Sequence, residues 1–251
     1  MHALPALVHH LLVAFLILVV PLWGRREARA MRRARNPALK HRSYRRTLIW
    51  LWTATVLLLL TVPPGQLWRP PPLATAGTWW TSPAARSVMA GVAVGIALGI
   101  LGFAFASIVL ARRNPETRRK LQQSLEQVDF LLPHTRGERM AFAVVALSAG
   151  ICEEVIFRGF LIRYIAALPL GLGVGVSVLL AALVFGIDHG YQGMRGFVAT
   201  TAVALILSAL FFLSGSLWLP MVLHAAIDLR VLALPTGQGA ADDVCLQSPP
   251  P

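Results

Sequence analysis

Two adjacent glutamates interrupt an apolar segment in the second half of the chain. Glu153 and Glu154 lie within the stretch 140–168, and Arg158 follows four residues after Glu154. Residues four apart face each other on a helix, so Glu154 and Arg158 are predicted to form an ion pair. Glu153 lies about 100° further round the helix. It therefore faces elsewhere, where a carboxylate can act as a general base.

Two later apolar segments carry histidines. His189 comes one helical turn after Phe185, and His224 shares a helix face with Asp228, four residues on. Asp188 is predicted to be a solvent-exposed loop acid. Each group alone is compatible with a structural role. Together the segments offer carboxylates and imidazoles that can bind a metal ion or activate a water molecule if they converge.

The composition indicates that these residues lie in a membrane. The chain has 251 residues, of which 56% are hydrophobic and only 14% charged, and its mean hydropathy is +0.65. This shortage of charge excludes an ordinary soluble domain. A charge at the centre of a membrane helix costs about 2.5–3.5 kcal/mol, so such residues indicate a functional site. Two cysteines far apart predict neither a disulfide framework nor a metal-binding pair.

The basic residues predict the topology. Formal net charge is +12, and 17 of the 23 Lys and Arg residues lie in the segments 25–46 and 112–139. Such segments are typical of cytoplasmic loops, so no nucleic-acid surface is needed to explain them. The resulting fold class is an all-α polytopic membrane helix bundle of about seven spans, with the N-terminus outside and the C-terminus inside. The predicted spans are 3–23, 47–62, 87–111, 140–168, 169–187, 197–213 and 217–234.

The predicted organisation has three parts. Residues 1–139 form an N-terminal region of three spans, 140–234 form a core of four spans that carries the polar residues, and 235–251 form a disordered tail. Gly91, Gly95 and Gly99 recur every four residues, which predicts a stripe for tight helix packing. A kink near Gly159 would change the end of the fourth span, and residues 115–128 are expected to form an amphipathic helix.

The three polar clusters also resemble a known family. Their order, EExxxR, FxxxH and HxxxN/D on successive apolar segments, is similar to that of the CPBP intramembrane proteases, which include CAAX prenyl endopeptidases and bacterial Abi-type proteins. The resemblance covers roughly residues 140–230. It implies that Glu153 is the general base, with His189 as its partner, and that Arg158 holds Glu154. HExxH, GxSG and GxGD motifs of other membrane proteases do not occur.

The resemblance further implies that His224 and Asp228 stabilise an oxyanion. An ionised aspartate cannot donate a hydrogen bond, and the prenyl endopeptidases tend to have asparagine here. Asp228 is therefore expected to orient His224. Two cofactor alternatives stay open: no cofactor, or a divalent metal such as zinc. With a metal the chain would be a metalloprotease, and Glu153, His189 and His224 would be the ligands.

The sequence thus predicts an intramembrane endopeptidase. Its partners are the lipid bilayer and a membrane-associated peptide or protein substrate, with no nucleic acid. Short loops and a high content of Ala, Arg, Gly and Leu suggest the inner membrane of a bacterium, which disfavours a prenylated substrate. Two alternatives stay open: a non-catalytic scaffold or immunity-type protein of the same fold, and a proton-coupled transporter.

Overall fold

The computed structural model describes residues 3–34, 37–72 and 82–233, and this part of the chain contains helices and no strand. The tail predicted over 235–251 lies outside the described residues. The α-helices are α1 (Ala3–Ala14), α2 (Val20–Ala34), α3 (Pro37–Thr61), α4 (Pro64–Trp68), α5 (Pro83–Arg113), α6 (Pro115–Leu125), α7 (Arg136–Glu153), α8 (Ile162–Ala166), α9 (Val174–Asp188), α10 (Gly193–Ser214) and α11 (Trp218–Leu229). Two π-helical segments, Phe15–Val19 and Glu154–Leu161, join α1 to α2 and α7 to α8. Three 3₁₀ segments complete the elements: Glu126–Leu131, Gly190–Gln192 and Arg230–Ala233.

Four helical stretches of the described part are long and apolar enough to cross a membrane. They are Pro5–Ala34, Pro83–Arg113, Arg136–Ala166 and Gly190–Ser214, and α9 is a shorter apolar helix. The predicted all-α membrane bundle is confirmed. The predicted number of seven spans stays a prediction. α3 and α11 lie where the second and seventh spans are predicted, but they are not among the helices that are long and apolar enough to cross a membrane.

The first basic segment is a helical hairpin, where a loop was expected. α2 continues to Ala34 and α3 begins at Pro37, so the helices extend through most of residues 25–46. Arginine and alanine favour helices, and proline is well tolerated at a helix start. In the second basic segment α6 occupies most of the predicted amphipathic helix, and the Asn114 side chain caps it by accepting from the amides of Glu116 and Thr117.

The two basic segments meet at one end of the bundle. Lys40 of α3 lies with its Nζ 3.1 Å from Glu138 Oε2, and it also donates to the carbonyl of Leu132 at 2.7 Å. The Arg32 guanidinium lies 4.8 Å from the centre of the Phe130 ring. Both segments therefore lie on the same side of the bundle, as the predicted topology places them.

The hydrophobic core joins the N-terminal and C-terminal regions. α7 packs against both α3 and α11, and α10 packs against α9 and α5. One buried cluster contains Leu16, Leu51 and Leu58 together with Val155 and Leu161. The described helices of residues 1–139 therefore bury apolar surface against the segment that carries the polar residues. The proposed division at residue 139 stays a prediction.

The glycine stripe of α5 does not pack against the described chain, so this expectation was wrong. A Cβ placed on Gly91, Gly95 or Gly99 would meet nothing within 4 Å. Ala93 and Ala97 face the bundle instead and pack with a cluster that contains Leu207, Leu210 and Leu223. The small methyl groups of alanine permit the close approach and also fill the interface, which glycine cannot do.

Candidate active site

The two glutamates lie where α7 changes into a π-helix. The π segment Glu154–Leu161 includes Gly159, and all eight of its residues are buried. π-Helical turns inside α-helices occur frequently at functional sites. Gly159 lies in this segment, and a Cβ on it would come within 2.8 Å of the Leu67 carbonyl oxygen. Glycine therefore lets α4 pack directly against the π-helix.

Glu154 forms the predicted ion pair and a second contact that the sequence did not indicate. Its Oε1 lies 3.0 Å from Arg158 Nη1 and 2.8 Å from His224 Nδ1. Because a carboxylate only accepts hydrogen bonds, Nδ1 of the imidazole is the donor. Glu154 is fully buried, and Arg158 is 1% exposed. The hydrogen bond from His224 to Glu154 thereby holds α11 against the π-helix in the interior of the bundle.

Arg158 has two further partners that hold its guanidinium. Its Nη2 donates to the Ala204 carbonyl on α10 at 3.3 Å, and the guanidinium carbon lies 4.9 Å from the centre of the Phe185 ring. Phe185 also contacts the Phe157 ring edge to face, with centroids 5.0 Å apart. The buried arginine thus connects the π-helix to α9 and α10 through a hydrogen bond and a cation–π contact.

Glu153 faces the other nitrogen of His224. Its Oε2 lies 3.8 Å from His224 Nε2, and Asp228 Oδ2 lies 3.7 Å from the same nitrogen. Both distances exceed those of a hydrogen bond, and gaps of this length are often bridged by water. Glu153 Oε2 is buried with no hydrogen-bond partner in the described part of the chain.

The structure places Asp228 beside His224, and its role in orienting that ring stays a prediction. Glu154, on a different helix, makes the short hydrogen bond to His224 Nδ1, whereas Asp228 lies 3.7 Å from Nε2. Spacing of four residues placed Asp228 on the right face of α11. It could not reveal that a buried carboxylate from another helix lies closer.

His189 lies at the C-terminal end of α9, next to the Phe185 ring. Its Nδ1 donates to the Phe185 carbonyl at 2.8 Å, which leaves Nε2 as the acceptor of a neutral ring. The Phe185 centroid lies 4.4 Å from that of His189 and 6.1 Å from that of His224. Among the described residues no hydrogen bond or ion pair joins His189 to Glu153, the partner that the resemblance implied.

The arrangement does not fit the metal-binding alternative. A catalytic zinc takes three protein ligands at about 2.0–2.3 Å. Within residues 3–34, 37–72 and 82–233 no group of three or more His, Cys, Asp or Glu side chains is placed to hold a metal ion. Glu153, His189 and His224 do not form such a set.

Asp188 is a buried acid, contrary to the expectation of an exposed one. It is 7% exposed, and neither carboxyl oxygen has a hydrogen-bond partner in the described structure. α2 packs against this end of α9: a Cβ on Gly24 would lie 3.9 Å from the Asp188 carbonyl oxygen. Arg32 also donates to the Tyr191 carbonyl at 2.9 Å. No sequence pattern predicts that α2 covers this end of α9.

Gly150 is a second residue whose importance only the structure reveals. A Cβ on it would lie 2.8 Å from the Cβ and the amide nitrogen of Ala225. Glycine therefore permits α7 and α11 to approach closely, one residue from His224. A glycine in the middle of an apolar helix is the available sequence signal for such packing.

These features define an all-α integral membrane protein with a buried cluster of glutamate, arginine and histidine. Residues 136–230, less than half of the chain, match the family model described as Type II CAAX prenyl endopeptidase Rce1-like. This match confirms the resemblance that the three motifs predict, and it points to an intramembrane protease of the CAAX type. No curated protein and no solved structure matches the chain.

Proposed function

We propose that this protein is an intramembrane endopeptidase that hydrolyses a peptide bond of a membrane-associated peptide or protein. The observation that carries the proposal is the buried Glu153 carboxylate, which has an unpartnered oxygen facing His224 Nε2 across 3.8 Å. A water molecule in that gap would lie beside a base and an imidazole. The match of residues 136–230 to a peptidase family supports the same chemistry.

The reaction divides between the base and the imidazole. Glu153 removes a proton from the water as its oxygen attacks the carbonyl carbon of the peptide bond. The resulting oxyanion accepts a hydrogen bond from His224 Nε2. Protonated Glu153 then gives the proton to the leaving nitrogen, and the C–N bond breaks to yield a carboxylic acid and an amine. His189 Nε2 accepts a hydrogen bond from the water and so orients it.

The neighbouring charges support this use of His224. The ring donates from Nδ1 to Glu154, so a second donation from Nε2 requires the imidazolium form. Three carboxylates lie within 4 Å of the ring nitrogens, those of Glu153, Glu154 and Asp228, and they attract a positive charge. Arg158 compensates Glu154 and holds it in place.

The substrate and location follow from the family and the composition. The matching family is described as one of CAAX prenyl endopeptidases, so a farnesylated CAAX peptide is one candidate substrate. An unprenylated membrane peptide is the other, because the sequence suggests a bacterial inner membrane. Residues 140–234 form the proposed catalytic region, and residues 1–139 anchor it and cover the end of α9.

The test uses the purified full-length protein in liposomes. Quenched fluorescent peptides, with and without a farnesyl group, report cleavage by the wild type and by the variants Glu153→Gln and Glu116→Gln. Glu116 is exposed on α6, so its variant controls for the loss of one carboxylate. The rate constant for the Glu153→Gln variant is expected to fall about 100-fold or more.

Two outcomes contradict the proposal. Full activity in the Glu153→Gln variant would remove Glu153 from the mechanism. Absence of cleavage by the wild type, together with a proton flux into liposomes that Glu153→Gln abolishes, would favour the transporter that the sequence left open.

A further inference from the structure

A cavity separate from the candidate active site lies between α2 and α3. Its volume is about 240 Å³, and its polar lining consists of Arg26, Glu27, Arg42 and Arg46, with Trp23 beside them. The remaining lining residues are apolar. The cavity is large enough for a phosphate group and part of the molecule that carries it.

The lining has an excess of positive charge. Glu27 pairs with Arg46 at 3.4 Å, and the Arg46 guanidinium carbon also lies 5.5 Å from the centre of a Trp23 ring. Neither Arg26 nor Arg42 has an ion pair within the described part of the chain. Two arginines without a carboxylate partner beside one cavity are suited to a phosphate, which guanidinium groups bind through paired hydrogen bonds.

The surface next to the cavity is apolar. Leu18, Leu22 and Ile49 lie on the membrane side of the arginines on the same helical hairpin, and each is at least 58% exposed. Trp23 stands at the change from apolar to basic surface, the position that tryptophan prefers at a membrane interface. A ligand of this cavity therefore meets arginines at one end and exposed hydrocarbon at the other.

We infer that the cavity binds the phosphate headgroup of an acidic phospholipid, with the acyl chains lying along Leu18, Leu22 and Ile49. A free phosphate ion would satisfy the arginines alone. A lipid also covers the exposed apolar side chains, which is why the arrangement favours it. The bound lipid would hold α2 against α3, and α2 is the helix that covers Asp188 and the end of α9.

The experiment measures lipid binding to the detergent-purified full-length protein by native mass spectrometry. Phosphatidylglycerol is compared with phosphatidylcholine of the same acyl chains. The double variant R26Q/R42Q is compared with R29Q/R45Q, which removes the same charge from exposed positions on the same two helices that do not line the cavity. R26Q/R42Q is expected to bind phosphatidylglycerol about 30-fold more weakly than wild type, since each lost guanidinium–phosphate hydrogen bond contributes roughly fivefold. R29Q/R45Q is expected to bind within about threefold of wild type.

Three results would overturn the inference. Equal losses in the two double variants would mean that diffuse charge, and not the cavity, attracts the lipid. Equal affinity for the two lipids would mean that the arginines do not read the headgroup charge. Displacement of phosphatidylglycerol by an equimolar amount of inorganic phosphate would assign the cavity to the free ion. If R26Q/R42Q does not purify as a folded protein, the single variants Arg42→Gln and Arg45→Gln give the same comparison.

Discussion

Replacing Gly150 by alanine tests the close helix approach that forms the candidate active site. The new Cβ would lie 2.8 Å from the backbone nitrogen of Ala225, whereas ordinary contact begins at 3.4 Å. α7 and α11 would have to move apart by about 0.6 Å to restore ordinary contact. The neighbouring hydrogen bond between His224 Nδ1 and Glu154 Oε1 would lengthen from 2.8 Å to about 3.4 Å, beyond normal hydrogen-bond distances.

The expected effects are on both stability and activity. Overpacking of this kind costs typically about 1–3 kcal/mol, and a misplacement approaching 1 Å at a reacting group can reduce the rate about 100-fold. Thermal unfolding in detergent and peptide cleavage in liposomes measure the two effects. The control is Gly137→Ala in the same helix, where a Cβ meets nothing within 4 Å. Alanine is the better helix former, so this control is expected to be at least as stable as wild type.

A second substitution sharpens the test. Changing Ala225 to glycine in the Gly150→Ala background removes one close atom, yet the amide nitrogen and Cα of residue 225 stay within 2.9 Å of the new methyl group. The double variant is therefore expected to stay defective. A Gly150→Ala protein that unfolds at the temperature of Gly137→Ala and cleaves at the wild-type rate would refute the close approach of α7 and α11.

Two further predictions follow from charge and topology. Glu154→Gln leaves the buried Arg158 without its carboxylate, so the free energy of unfolding is expected to fall by about 3–5 kcal/mol. The control Glu116→Gln removes a carboxylate from an exposed i,i+4 pair and should change the free energy of unfolding little. Equal melting temperatures for the two variants would contradict the buried pair. Single cysteines at Ser87 and Arg119, introduced in a background without native cysteines, report the topology of α5. A membrane-impermeant maleimide should label position 87 in intact cells and position 119 only after lysis, and the reverse pattern would invert the assigned orientation.

Much of the fold could be predicted because its signals are local. Apolar segments, basic flanks and low charge indicate a membrane bundle without any knowledge of contacts. The boundaries were less accurate: the first basic segment folds as the ends of two helices, because arginine and alanine continue a helix that hydropathy alone would end. Which side of α5 faces the bundle also depended on tertiary packing. The glycines and the alanines of this helix both recur every four residues, so their spacing could not tell which of them is buried.

The site was predicted where residues are neighbours on one helix. Glu154 and Arg158 are four apart, so helix geometry determined their contact. The hydrogen bond between His224 and Glu154 and the burial of Asp188 could not be predicted in this way. Glu154 reaches His224 from 70 residues earlier in the chain, and α2 covers Asp188 from more than 150 residues earlier.

The sequence by itself determined that the chain forms a helical membrane protein with ionisable residues placed within apolar helices of its last 100 residues. Hydrophobicity and helical periodicity are properties of single segments, so they can be read before the segments pack. Only the tertiary structure decided which carboxylate accepts the hydrogen bond from His224 Nδ1, that Glu153 Oε2 is buried without a partner in the described part of the chain, and that Gly150 permits α7 and α11 to approach closely. These outcomes depend on how helices distant in sequence fit against each other within a few tenths of an ångström.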